Sequence, residues 1–153
     1  EVLLSARAMN LALTGLEPFL AKDQREASGK ILIATVRGDL HDIGKNMVST
    51  MLRGVGFEVV DLGINISVED FVTSVEKHRP DILGMSALLT TTMPEMKKVI
   101  DLLVTRGLRN TVKVIVGGAP VNEKFARDIG ADGYGADAGS SVDLARRLLQ
   151  KTK

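Results

Sequence analysis

Cysteine and tryptophan are both absent from this chain of 153 residues. Without a thiol there can be no disulfide, no iron–sulfur cluster and no thiolate zinc site. Aromatic residues amount to 3%, with a single Tyr, which argues against a pocket that grips its ligand between stacked rings. No apolar run approaches the roughly 20 residues needed to cross a bilayer. Neither sign of charge dominates: 20 Lys and Arg face 19 Asp and Glu, a formal net charge of +1. So balanced a chain offers no electrostatic case for nucleic acid or a membrane as its main partner. Thiol-free and showing no signal peptide, it reads as cytoplasmic.

What is present is alternation of strand and helix, in a length sufficient for one domain with a real core. β-type runs are expected at 31–36, 57–61, 81–85, 112–116 and, briefly, 132–134. The helices between them carry their own start and stop signals. Gly54 and Gly56 end the first, whose apolar stripe is Ile43, Met47, Val48, Met51, Leu52 and Val55. Ser67 with Asp70 resembles a capping box ahead of Phe71, Val72 and Val75. Pro94 suits a first helical turn before Met96, Val99, Ile100 and Leu103. Asn122 caps a further helix that Gly130 ends, and the last spans about 141–150, burying Val142, Ala145, Leu148 and Leu149. Five strands so separated predict an α/β fold with a parallel sheet covered on both faces. For so short a unit the expected strand order is the flavodoxin-like (Rossmann-like) 2-1-3-4-5.

Ahead of this lies one amphipathic helix, residues 1–22, in which Val2, Ala6, Met9, Leu13, Leu16 and Leu20 recur at spacings of four and three. Leu4, Ala8, Leu11, Ala12 and Phe19 add apolar character on another side, and a helix apolar on two faces is normally packed on both. The expectation is a fragment, or trimmed copy, of a longer protein with an N-terminal helical domain. The alternative is a helix docked in a dimer interface. Residues 23–29 are polar and read as a linker, and residues 30–153 as the ligand-binding domain.

In a 2-1-3-4-5 sheet the ligand crevice opens at the switch point, between the loops after the first and third strands. The first of these is Gly38-Asp39-Leu40-His41-Asp42-Ile43-Gly44-Lys45-Asn46, which holds one of the chain's two histidines between two aspartates. A neutral imidazole is the commonest nitrogen ligand for a transition metal, and Asp39 is placed to fix its tautomer. The other loop is Ser86-Ala87-Leu88-Leu89-Thr90-Thr91-Thr92. Gly117-Gly118-Ala119-Pro120 and Tyr134-Gly135-Ala136-Asp137 open on the same edge. A phosphate-binding loop is excluded, because five residues separate Gly38 from Gly44, Asn46 replaces the required hydroxyl, and two carboxylates occupy the phosphate position. A phospho-accepting receiver lacks its partners: Met85-Ser86 and Tyr134-Gly135 stand where an acid and a lysine are needed. A flavodoxin would need phosphate-loop hydroxyls after the first strand and aromatic rings flanking the flavin, and neither is present there. Taken singly, Gly117-Gly118 reads as a tight turn and Thr90 to Thr92 as a capping run. His78 and the Lys97-Lys98 pair read as solvated surface.

Asp39-x-His41-x-x-Gly44, Ser86-x-Leu88 and Gly117-Gly118, each following its strand, resemble the corrinoid (vitamin B12) binding domain over residues 30 to about 151. The resemblance implies that His41 ligates cobalt in place of the cofactor's own base, that Asp39 orients it, and that Ser86 is a candidate extension of the relay. It further implies that Leu88, Thr90, Gly117, Gly118, Ala119, Tyr134, Gly135 and Ala136 line a slot for the displaced nucleotide tail, with Asp42, Ile43 and Gly44 beside the ligand. The wording of the first loop is similar to the methyl-transferring branch, which includes methionine synthase and small corrinoid proteins. Residues 1–22 look like the last helix of that branch's helical cap. Implied is a carrier subunit, holding a cobalamin or related cobamide in its methyl form. It would move a methyl group on cobalt from a donor methyltransferase to an acceptor methyltransferase, with tetrahydrofolate or a thiol as acceptor. Two other classes stay open: the corrinoid-binding subunit of an adenosylcobalamin-dependent mutase, and a B12-sensing regulatory module.

Overall fold

The β-branched and aliphatic run that opens the domain forms the middle of the sheet. The computed structural model describes residues 28–150 and, ahead of them, Leu4, Ser5, Arg7, Ala8, Leu11, Ala12, Thr14 and Gly15. β1 (Lys30–Thr35) is followed by α1 (Ile43–Gly54), β2 (Glu58–Asp61), α2 (Val68–His78), β3 (Ile82–Ser86) and α3 (Met93–Thr105). A short 3-10 turn (Arg109–Thr111) then leads to β4 (Lys113–Gly117), α4 (Glu123–Ile129), β5 (Gly133–Gly135) and α5 (Ala138–Gln150). The strands lie in the order β2-β1-β3-β4-β5, every neighbour parallel, as the alternation predicts.

Because side chains alternate across a strand, one sequence supplies two cores. Leu32, Ala34, Leu83, Met85, Val114 and Val116 face α2, α3 and α4, where they meet Phe71, Val75, Met96, Val99, Leu103 and Ala126. Each fully buried side chain of this kind stabilises the fold by roughly 1.5–3 kcal/mol. Ile31, Ile82 and Ile115 face the other way, toward Leu52 of α1 and Val142 and Ala145 of α5. That second core is much the smaller, and the space it leaves is the site described below.

The capping signals act as expected. Ser67 Oγ accepts from Asp70 N at 3.1 Å, Asn122 Oδ1 accepts from Phe125 N at 2.8 Å, and Gly130 ends α4 at φ 81°. Two expectations need correction. α5 begins at Ala138, ahead of Ser141, because Asp137 builds its N-terminus. Asp137 Oδ1 accepts from Ser140 N at 2.7 Å, and Asp137 O accepts from the Ser141 hydroxyl at 2.7 Å. Leu148 and Leu149 are half-buried, packed against the second core at the end of α5. Of the N-terminal stretch, Leu4, Ser5, Arg7, Ala8, Leu11, Ala12, Thr14 and Gly15 are helical and exposed. The stripe Val2, Ala6, Met9, Leu13, Leu16 and Leu20, together with Phe19 and most of the 23–29 linker, lies outside the described residues. No helix among the described residues is long and apolar enough to cross a membrane.

Candidate cofactor site

The loop after β1 is held by three hydrogen bonds to Thr35 and Asn65. The Thr35 hydroxyl donates to His41 O at 2.9 Å, Asn65 Oδ1 accepts from Gly38 N at 2.8 Å, and Asn65 N donates to Asp39 O at 3.1 Å. Asp39 is fully buried, and both carboxylate oxygens are engaged. Oδ1 lies 2.7 Å from His41 Nδ1 and accepts from His41 N at 3.1 Å. Oδ2 accepts from Leu88 N at 2.7 Å, Leu89 N at 3.3 Å and the Thr92 hydroxyl at 2.8 Å. Burial pushes the Asp39 carboxyl up. The bonds from Leu88 N, from the His41 ring and backbone, and from Thr92 outweigh that and hold it well below the ordinary carboxylate range. An ionised Asp39 can only accept, so His41 places its proton on Nδ1 and leaves the lone pair on Nε2. The ring is half exposed, its side chain 51% accessible.

His41 stands at the mouth of a cavity of about 620 Å³ between the sheet and the helices α1 and α5. That volume lies within the range of small-molecule and cofactor pockets. Register makes the opening. Thr35, Ser86, Gly117 and Gly135 stand side by side at the carboxyl edge, and two residues in, on the same face, stand Ile33, Gly84, Ile115 and Gly133. Small residues in both rows keep the sheet face clear where larger ones would fill it. A Cβ on Gly135 would lie 2.1 Å from Ser141 Oγ. Gly118 has φ +125°, and a Cβ there would lie 1.8 Å from Ala87 O, so only glycine lets the β3 and β4 loops meet. At Gly44 a Cβ would meet nothing within 4 Å, because that position borders the cavity beside His41.

Most residues singled out in the sequence converge here. The cavity is lined by His41, Asp42, Ile43, Gly44, Ser86, Leu88, Gly117, Gly118, Ala119, Tyr134, Gly135 and Ala136. Asp39 sits behind His41 as its support. Thr90 does not line the cavity; it is exposed on the turn before α3. Ser86 lines the wall, and the hydrogen bonds to Asp39 Oδ2 come from Leu88 N, Leu89 N and the Thr92 hydroxyl. The apolar stripe of α1 is divided between core and cavity: Leu52 is buried in the second core with Val48 and Val55 packed against it, Met47 and Val48 line the cavity, and Ile43 is 43% and Met51 38% exposed. α1 also buries Lys45, whose ammonium lies 2.6 Å from Asp61 Oδ2 on β2 and 2.7 Å from Asn46 Oδ1. Sequence reasoning missed Thr35, Asn65, Thr92 and the Lys45–Asp61 pair. Thr92 reads from sequence only as part of a capping run, because its bond to Asp39 depends on the strand register.

Among the described residues no three His, Asp or Glu side chains come together as a metal cluster. One acid-anchored imidazole at the edge of a deep, largely apolar slot is therefore the whole donor set. It suits a metal whose remaining positions are filled by a macrocycle of its own. Lone ligand, slot and 2-1-3-4-5 sheet together define a B12-binding fold. The profile of the B12-binding family, described as the B12 binding domain, matches residues 29–143, and the chain belongs to that family.

Its relatives are corrinoid proteins. One from Desulfitobacterium hafniense is 45% identical over 154 residues, covering 99% of this chain and 71% of the relative. The monomethylamine corrinoid protein of Methanosarcina barkeri superposes with a TM-score of 0.83 at 39% identity, over 96% of this chain and 70% of that one. A chain of the methanol:cobalamin methyltransferase complex of Methanosarcina barkeri gives a TM-score of 0.77 at 34% identity, over 97% of this chain and 57% of that one.

Proposed function

We propose that this chain is a methyl-carrier protein: it binds a cobamide through His41 Nε2 and moves a methyl group between a donor and an acceptor methyltransferase. The observation that carries the reading is the Asp39–His41 pair at 2.7 Å, set at the mouth of an apolar slot. When bound, the cobamide supplies a cobalt centre able to take up and release a methyl group. The chain's own part is to hold and tune. Asp39 fixes the imidazole tautomer and strengthens Nε2 as a donor, while Leu88 N, Leu89 N and Thr92 keep Asp39 ionised. Gly44, Gly117, Gly118 and Gly135 keep the way into the slot open, and Leu88, Ala119, Tyr134 and Ala136 border it.

Membership of the B12-binding family supports the cofactor. A monomethylamine corrinoid protein and a methanol methyltransferase complex among the relatives support methyltransferase partners, and favour the carrier over the mutase subunit and the sensor module. Tetrahydrofolate or a thiol as acceptor rests on the likeness to the methyl-transferring branch. In the same reading residues 1–22 are the last helix of a helical cap, 23–29 the linker and 30–153 the corrinoid-binding domain of a cytoplasmic protein.

The test is the visible spectrum and cobalt content of the protein purified after incubation with cobamide, for wild type and His41→Ala. A coloured wild type with about one cobalt per chain, whose spectrum changes when His41 is lost, is the expected result. A wild-type protein that stays colourless with cobamide in excess would overturn the proposal.

A further inference from the structure

We infer that Lys45 and Asp61 are positioning residues for His41: their ion pair fixes where α1 begins, and so where the imidazole stands. This rests on the corrinoid reading above for what the imidazole binds. It adds two residues that act on the ligand through the loop that carries it.

Lys45 stands where two physical rules disfavour a lysine. It is buried, and it lies in the first turn of α1, where the helix dipole repels a cation. Its ammonium is held 2.6 Å from Asp61 Oδ2 and 2.7 Å from Asn46 Oδ1. An apolar residue of similar volume avoids the desolvation altogether, so stability alone gives no reason for a lysine here. What α1 lacks is a cap. Ser67 and Asn122 start α2 and α4 with a side-chain oxygen, whereas Asp42 makes no such bond and no acid stands in the first turn of α1. The Lys45–Asp61 pair anchors this end of the helix instead, one turn after His41.

Asp61 carries the restraint back to the start of the same loop. Its other oxygen, Oδ1, accepts from Gly63 N at 2.8 Å and shapes the turn after β2. Next in that turn, Asn65 adopts a φ of +53°, a left-handed conformation that asparagine tolerates better than most residues. From there Asn65 Oδ1 accepts from Gly38 N at 2.8 Å, and Asn65 N donates to Asp39 O at 3.1 Å. The ligand loop is thereby closed into a circuit, its two ends joined through Lys45, Asp61 and Asn65. Leu88, Leu89 and Thr92, on the other side, hold the Asp39 carboxylate. One set of bonds fixes the acid, and the circuit fixes the backbone that bears the ring.

Lys45 also lines the cavity, so direct contact with the cofactor is the rival explanation. Two measurements on Lys45→Met separate them. In cofactor-free protein, the amide protons of Gly38, His41 and Asn65 are expected to exchange at least about tenfold faster than in the wild type, with those of Leu83 and Val114 in the sheet unchanged. Unaltered exchange in the loop would refute the inference, whatever the protein binds. Cobalamin titrations followed by the visible spectrum are expected to show an affinity about ten- to a hundredfold lower. In a His41→Ala background the same substitution should change affinity by less than about twofold, because nothing is left to position. An equal loss in both backgrounds would mean that Lys45 serves the slot directly, and would refute the inference as well. Asp61→Asn keeps the shape of its side chain and removes the charge, and it should reproduce both results. Wild-type exchange and affinity in that variant would count against the pair. A wild-type protein that takes up no cobalamin would sink the corrinoid reading, while the exchange measurement, which needs no cofactor, still decides whether the pair holds the loop.

Discussion

Thr92 donates its hydroxyl to Asp39 Oδ2 at 2.8 Å across 53 residues of sequence, tying the loop after β3 to the loop after β1. Both partners are buried, so the bond is shielded from water, and its acceptor is ionised. Hydrogen bonds to charged groups contribute about 1.5–3 kcal/mol. Thr92→Val keeps the shape and removes the donor. It should lower unfolding stability by about 1–2 kcal/mol, read as a drop in the denaturant midpoint at unchanged m-value. Stability within experimental error of the wild type would mean that Leu88 N and Leu89 N hold Asp39 unaided.

The same cluster makes a pH signature. The folded-state pKa of Asp39 is depressed, so its contribution to stability is complete above the unfolded carboxyl value, near 3.9, and is lost as pH falls through the lower folded value. Wild-type stability should therefore fall as the solution is acidified below about pH 4.5. Asp39→Asn removes the group that titrates, and its stability curve should be flatter over that window. The measurement is urea unfolding at a series of pH values for both proteins. Parallel curves would show that other carboxylates carry the acid dependence.

How much of this was legible in the chain depends on how local the signal is. Asp39 and His41 are two residues apart on one loop, and the strand before them is marked by composition, so their pairing and their place at the sheet edge could be read directly. Thr92 could not. Its bond depends on the register that sets Thr35 beside Ser86, and no local pattern encodes a distance across strands. For α1 the apolar stripe was legible but not what it meets, because Ile43, Met47 and Val48 are apolar whether they face a core or a cavity, and periodicity does not distinguish the two. Burial of Lys45 follows from its pairing with Asp61 on the edge strand β2, and that pairing has no signature in either segment.

Ser49 offers a test of the α1 packing. It is 1% exposed, and its hydroxyl oxygen is the single buried side-chain polar atom among the described residues with no hydrogen-bond partner. A buried hydroxyl left unpaired forfeits its hydration and gains nothing in return. Ser49→Ala should therefore raise stability, by about 0.5–1 kcal/mol. A loss of 1 kcal/mol or more would show that the hydroxyl is bonded in solution and that α1 sits differently against the sheet.

Gly44 and Gly118 are both glycines at the cavity, and adding one methyl group to each should have opposite effects on the fold. At Gly118 the Cβ would lie 1.8 Å from Ala87 O, at a φ of +125° that other residues rarely adopt. Gly118→Ala must part the two loops and should destabilise by about 2–3 kcal/mol or more. Gly44 has no such neighbour within 4 Å and lies in the first turn of α1, where alanine is the better helix former by up to about 1 kcal/mol. Gly44→Ala should thus leave the fold as stable as before or slightly more so. Its methyl group would nevertheless stand at the cavity mouth beside His41, where the proposed cobamide would have to fit. The expected result is a stable protein with cobamide affinity reduced at least about tenfold, since a misfit of one methyl group is felt strongly in close packing. Thermal melts and cobamide titrations on the two variants separate the cases. Gly118→Ala should fail in the melt, and Gly44→Ala only in the titration. A Gly44→Ala protein that binds cobamide like the wild type would mean that the ring approaches His41 from another side of the loop.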